Sequence, residues 1–311
     1  MRILVTGGAG FIGSHVVDEC IAAGHDVAVV DNFWKHGGGR RANLNPKAKL
    51  HEIDIRAKDV HQVIRSFRPD VVSHHAAQHS VAISTADPDY DADVNIRGLI
   101  NVFEACAANG VKKVIFASSA ATYGTPQYLP INETHPQLPE SPYGITKMAA
   151  EHYLRYYAAS KGLSYTALRY GNVYGPRQDP NGEAGVIAIF TGRIIRGEPI
   201  RVDWDGEQRK DYVFVGDVAR ANLIALTQGN EDVFNIGTGI GTSVNALHTT
   251  ISSAVGRDVE VVHAPKRAGD VRTCIFAIDK ARERLGWEPA TALADGIAKT
   301  AAYFKSATTA S

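Results

Sequence analysis

Thr6-Gly7-Gly8-Ala9-Gly10-Phe11-Ile12-Gly13 decides the fold. It follows an apolar run, Arg2–Thr6, and opens a helical stretch over residues 13–23. Glycines here let the backbone turn tightly and approach a pyrophosphate, whose charge then rests on the helix N-terminus. Alone such a run is a weak signal. Its context strengthens it: a strand before, a helix after, and Asp31 closing the second apolar run, near the ~20-residue offset at which a carboxylate meets a ribose hydroxyl pair. A carboxylate there repels the extra phosphate of NADP, so the turn reads as a site for NAD. Arg40 and Arg41, in a glycine-rich stretch, are the residues that argue for NADP; they stand well past the strand end.

Outward from the turn, short Val/Ile-rich runs at 27–31, 50–55, 70–73 and 113–118 alternate with helical stretches at 57–67 and 93–108. Their apolarity is continuous, as in strands covered on both faces. Gly24 and Gly110 stand where helix C-caps belong. Strand–helix alternation predicts an α/β Rossmann fold, a doubly wound parallel sheet. A loop over 119–142, a helix over about 142–160 and a strand over 165–170 complete the first region. Beyond Gly171 the pattern becomes mixed, with Asp217 expected to N-cap a helix over 218–227 and Ser243 the next. The expected division is a cofactor-binding domain over 1–170, a smaller mixed α/β substrate-binding region over 171–305 interleaved with it, and a flexible tail over 306–311.

Lys plus Arg number 33, as do Asp plus Glu, so no whole-protein field favours nucleic acid or a membrane surface. Three cysteines without a CxxC pair suit a reducing cytoplasm. No apolar run approaches the ~20 residues of a membrane span. His74, His75 and His79 cluster after the fourth run, but without Cys or carboxylate partners at ligand spacing, and no metal is expected.

Tyr143 and Lys147 form Tyr-x-x-x-Lys, which places both side chains on one helix face. A nearby ammonium favours tyrosinate, and a tyrosinate accepts a hydroxyl proton while hydride leaves the same carbon. Ser118 and Ser119 close the fifth strand, where they can hydrogen-bond that hydroxyl.

Together these features resemble the extended short-chain dehydrogenase/reductase family over almost the whole chain. Within it the likeness is to UDP-glucose 4-epimerases, carried by residues 7–13, Ser118-Ser119-Ala120-Ala121-Thr122-Tyr123-Gly124, Ser141-Pro142-Tyr143-Gly144-Ile145-Thr146-Lys147 and Arg169-Tyr170-Gly171-Asn172-Val173-Tyr174-Gly175-Pro176. The resemblance implies that Tyr143, Lys147 and Ser119 are catalytic. It implies an NAD site of Gly7, Gly10, Phe11, Ile12, Gly13, Asp31, Asn32, Asp54, Ile55, Ala76, Ala77, Asn95, Ser118 and Tyr170, with Tyr143 and Lys147. For a UDP-hexose it nominates His79, Ser119, Asn172, Arg209, Lys210, Arg267, Asp270 and Cys274. Dehydratases of the family carry an acid after the strand-five Ser/Thr, where this chain has Ala120 and Ala121. Reversible oxidation at one carbon remains: NAD-dependent 4-epimerisation through a 4-keto intermediate.

Three points stay open. Arg209 or Lys210 grips the diphosphate. Trp204 stacks on the base or belongs to the core. A small Cys274, where a large Tyr is associated with excluding N-acetylated sugars, makes room for an acetamido group. The competing readings are a uronic-acid epimerase or a dehydrogenase of the same family, and a non-catalytic NAD-binding regulator. Family members are often homodimers through two helices, here those over 93–108 and 143–160.

Overall fold

The computed structural model describes residues 1–180, 185–266 and 271–309. Arg267 and Asp270 lie outside the described residues. The first half runs β1 (Arg2–Thr6), α1 (Phe11–Ala22), β2 (Asp26–Asp31), β3 (Lys49–Glu52), α2 (Asp59–Phe67), β4 (Val71–His74), α3 (Val81–Ala86), α4 (Pro88–Ala92), α5 (Leu99–Ala108), β5 (Lys113–Ser119), α6 (Pro142–Lys161) and β6 (Ser164–Tyr170). Then follow β7 (Asn172–Tyr174), α7 (Val186–Arg196), β8 (Ile200–Asp203), β9 (Arg209–Phe214), α8 (Val215–Ala225), β10 (Asp232–Ile236), β11 (Gly241–Ser243), α9 (Val244–Val255), β12 (Val261–Ala264), β13 (Thr273–Cys274) and α10 (Leu293–Thr309).

Seven parallel strands form one sheet in the order β10-β6-β5-β4-β1-β2-β3. Strand side chains alternate between two covered faces, which explains the continuous apolar runs. Ile3, Val5, Val27 and Val29 join the core under α1 and α8, whereas Leu4, Ala28 and Val30 join the core under α2, α5 and α6. Each fully buried Val, Leu or Ile contributes about 1.5–3 kcal/mol. The strand order reverses between β1 and β4, and in open α/β sheets the ligand crevice lies at the strand C-termini beside such a switch point. The second half of the chain returns to this sheet through β10. Its remaining strands build a small sheet in which β9 pairs with β7, β11 and β13, and a β8–β12 pair.

Three local expectations change. The helix expected over 93–108 begins as a π-helical segment, Asp93–Gly98, before α5. β3 ends at Glu52, so Asp54 and Ile55 lie in the turn that follows it. Asp217 does not cap α8: the helix starts at Val215, and the Asp217 carboxylate instead accepts from the backbone N–H groups of Ala290 (3.1 Å) and Thr291 (3.0 Å). Those donors lie more than seventy residues away along the chain, beyond any local capping pattern. Ser243 does cap α9, accepting from Ala246 N.

Candidate active site

A cleft of about 840 Å³ runs across the strand C-termini, from the glycine turn to Tyr143 and Lys147. At its floor the Gly7 N–H donates to Val30 O (2.7 Å) and Gly7 adopts φ +69°. A Cβ on Gly7 would lie 2.7 Å from Ala76 N, and one on Gly13 2.2 Å from Gly7 O. Only glycine fits at these two positions. α1 has no side-chain cap and no acidic residue in its first turn, so no carboxylate of its own competes for its leading N–H groups. Such an end suits a pyrophosphate.

Asp31 is 8% exposed and accepts from Ala9 N (3.0 Å) and Phe33 N (2.9 Å), which fastens the glycine turn to the end of β2. Burial raises its pKa above the ordinary carboxylate value, against those hydrogen bonds. Asn32 donates to Asp54 (2.9 Å), and Arg56 holds the Asp54 carboxyl down at about 2. Phe11, Ile12, Ile55, Ala76, Ala77 and Tyr170 also line the cleft. Both arginines that argued for NADP are engaged by carboxylates in this structure: Arg40 pairs with Asp179, and Arg41 pairs with Glu52 and lies over the Phe33 ring. A cleft floored by cramped glycines, with Asp31 at the end of β2 and Asp54 beside it, fits NAD.

At the other end, Ser141 caps α6, accepting from Gly144 N (3.1 Å), and Pro142 pre-sets its first turn. That start puts Tyr143 and Lys147 one turn apart on the cleft wall. Lys147 Nζ donates to Ala117 O (2.8 Å) and lies 4.8 Å from the Phe116 ring centroid and 5.7 Å from that of Tyr143. Burial lowers Lys147 to about 8, opposed by the Asp91 charge. The Tyr143 hydroxyl hydrogen-bonds with Ser119, yet burial pushes it up to about 12. This corrects the expectation that the lysine lowers Tyr143: the ammonium is turned to Ala117 O, and desolvation dominates.

Ser119 Oγ accepts from Ala121 N (3.1 Å), which leaves its proton for Tyr143 or a ligand. Ser118 behaves differently from expectation. Its hydroxyl is spent on Glu151 (2.6 Å), although the residue lines the cleft. Asn95 is not on the cleft wall. It is buried among Gln78, Asp91 and Thr146, accepting from Gln78 N (2.8 Å) and donating to Gln78 O (2.9 Å) and Asp91 (3.0 Å).

Of the histidines, His74 bonds Thr6 (2.8 Å), His75 bonds Ser73 (2.8 Å), and His79 is exposed at the cleft. Among the described residues no His/Cys/Asp/Glu cluster suits a metal. Asn172, Arg209, Lys210 and Cys274 do not line this cleft; they lie together on the small sheet. Cys274 is the register partner of Lys210 and Thr273 that of Arg209, so Lys210 shares a face with Cys274 while Arg209 points the other way. Lys210 Nζ donates to Val271 O (2.9 Å), and Cys274 packs with Ala120 against Tyr123, Ile131 and Phe276. Trp204 is half-buried rather than core, with Lys266 and Arg272 4.4 and 4.6 Å from its ring.

Two features escaped sequence reading. A buried ion pair, Glu151–Arg169 (2.6 Å, both side chains 2% exposed), joins α6 to β6 beneath the site, and Arg169 donates on to the Tyr123 hydroxyl (2.7 Å). Gln78 and Asp91 form the other hidden group. Nothing in local spacing links these residues, which lie 13 to 46 positions apart.

The sequence model of the NAD dependent epimerase/dehydratase family matches residues 3–237. The chain belongs to that family. It is 44% identical to the UDP-glucose 4-epimerase of Mycolicibacterium smegmatis, with 98% of this chain and 99% of that one covered. The crystal structure of a Thermotoga maritima UDP-glucose 4-epimerase with UDP-glucose superposes with TM-score 0.96 at 49% identity, covering 99% of this chain and all of that one. The Thermus thermophilus UDP-glucose 4-epimerase in complex with NAD gives 0.93 at 44%, again with 99% and 100% covered. The family is NAD-dependent, and NAD is this chain's cofactor.

Proposed function

We propose that this family member interconverts UDP-hexoses at C4, with UDP-glucose and UDP-galactose as the basic pair. The observation that carries this reading is the make-up of the cleft around Tyr143. Ser119 and Lys147 stand beside it, and the carboxylates among the described lining residues are Asp31 and Asp54, at the end of β2 and after β3, and Asp179, which Arg40 engages. Ala120 and Ala121 occupy the turn where a dehydrating acid would stand. Removal and return of hydrogen at one carbon is the chemistry such a site supports.

When bound, NAD supplies the reversible hydride acceptor and a positively charged ring. Ser119 holds the 4-hydroxyl, and Tyr143 takes and returns its proton at Oη. A cation in the cleft lowers a buried tyrosine toward working pH, and the cofactor's ring would supply that charge when bound, with Lys147 held one turn along the same helix by Ala117 O. For the nucleotide end the reading assigns Asn172, Lys210, Arg267 and Asp270, with Lys210 chosen over Arg209 because it shares the Cys274 face. A small Cys274 beside Ala120 extends the substrate range to the N-acetylated pair. A uronate would call for an added cation near the sugar end, and the reading assigns none there. We further assign a homodimer through α5 and α6, where Tyr156 is 57% exposed, and a cytoplasmic location. The cysteines Cys20, Cys106 and Cys274 are free thiols, and no helix of the described residues is long and apolar enough to cross a membrane.

The test is incubation of purified protein with UDP-galactose and UDP-N-acetylgalactosamine, without added NAD, reading 4-epimer formation by NMR. Conversion of UDP-galactose is expected. No conversion of either sugar by protein shown to carry NAD would reject the assignment. Replacing Cys274 with Tyr is expected to abolish turnover of the N-acetylated sugar alone.

A further inference from the structure

Asp91 lies on α4, a helix of five residues, and has no exposed surface. Its carboxylate accepts from Gln78 Nε2 (2.8 Å), Asn95 Nδ2 (3.0 Å) and Thr146 Oγ1 (2.9 Å). These donors come from the loop after β4, the π-helical segment before α5, and α6. Gln78 lines the cleft, and Thr146 sits between Tyr143 and Lys147, its hydroxyl also within 3.0 Å of Tyr143 O. All three donors are neutral. A buried carboxylate held only by neutral groups is costly to desolvate, and an amide could serve much of the same junction. Its negative charge is felt at Lys147, favouring the ammonium, and at Tyr143, disfavouring the phenolate.

We infer that Asp91 is a positioning residue of the active site: it ties the Tyr143–Lys147 turn of α6 to the Gln78 wall and brings a carboxylate to that turn. The inference rests on the catalytic reading of Tyr143 and Lys147. The other titratable groups around Lys147 do not compete for this role. His74 and His75, at the end of β4, are held neutral at about 3 by burial and by Lys147 itself. Tyr170 on β6 is raised by burial, and Glu151, one turn along α6, is committed to Arg169.

The test is Asp91→Asn in the cofactor-bearing enzyme. Loss of the charge favours tyrosinate and disfavours ammonium, so both limbs of the pH–rate profile move to lower pH, by about one unit for a charge interaction screened as in a protein interior. The Lys147 side chain, titrated by NMR in lysine-labelled protein, moves the same way whether or not a sugar turns over. Asp91→Glu is expected to restore the wild-type profile. A profile and a lysine titration that superimpose on wild type, with only a lower Tm, would mean a purely structural role and overturn the inference. Thr146→Val tests the tie independently of whether Asp91→Asn folds: kcat falls several-fold with KM and profile unmoved, and an unchanged kcat overturns it. An inactive wild-type enzyme would instead reject the epimerase reading, leaving the lysine titration to judge Asp91.

Discussion

Lys147 shows how the site trades stability for chemistry. Its pKa in the fold is about 8 against 10.5 for an ordinary lysine, because burial penalises the ammonium. A base whose folded pKa is lowered destabilises the fold below that value, and the penalty disappears as pH rises past its unfolded value. Lys147→Met is therefore expected to raise Tm at pH 7 by a few degrees, with the gain shrinking toward pH 10.5, while abolishing turnover; calorimetry across pH checks the sign. Tyr143→Phe removes the proton acceptor and leaves the cleft wall intact. Its expected effect is a loss of at least about 10²-fold in kcat with bound NAD unchanged, read by single-turnover assay and by cofactor content.

Two segments meet over the cofactor cleft: the loop carrying Gly37–Arg40 and the segment after β7 that carries Arg177 to Asp179. Arg40–Asp179 bridges them, Arg177–Asp18 (2.7 Å) ties the second to α1, and His15 bonds Pro176 O (3.0 Å). The Arg40 side chain is 55% exposed, so the bridge contributes at most about 1 kcal/mol. Arg40→Ala should accordingly release NAD only a few-fold faster, with wild type approaching the variant at high salt; stopped-flow release kinetics measures both. The glycine turn is far less forgiving. An alanine at Gly13 places its Cβ on the Gly7 carbonyl, so Gly13→Ala is expected to purify without NAD.

Across the whole molecule, the network around the Glu151–Arg169 pair reaches from the first half of the chain into the second. Ser118, Gln137 and Arg169 converge on Glu151, and Tyr123 passes the network to Asn235 on β10 (2.7 Å). Asn235 in turn donates to Ile131 O (2.9 Å). Removing one partner of a buried pair strands the other, at a cost of about 3–5 kcal/mol. Glu151→Ala should thus unfold the protein at far lower denaturant than wild type, whereas Tyr156→Glu on the exposed face of α6 should alter the molar mass in solution and leave the fold intact.

What could be read along the chain were the features whose physics is local. A parallel sheet covered on both faces demands apolar runs, a phosphate turn demands glycines, and a serine just before a helical run can cap it, as Ser141 and Ser243 do. The turn at Gly7–Gly13, Asp31, and Tyr143 with Lys147 were all legible for that reason. The alanines after Ser119 mattered for the same reason: a missing acid is visible in a chain. Asp217 misled because its partners are backbone groups at Ala290 and Thr291. The direction of the Tyr143 shift, the loss of the Ser118 hydroxyl to Glu151, the withdrawal of Asn95 from the cleft wall and the place of Asp91 were settled only by tertiary structure. Each depends on burial and on partners from distant segments, and desolvation is a property of the packed surroundings that no spacing along the chain encodes.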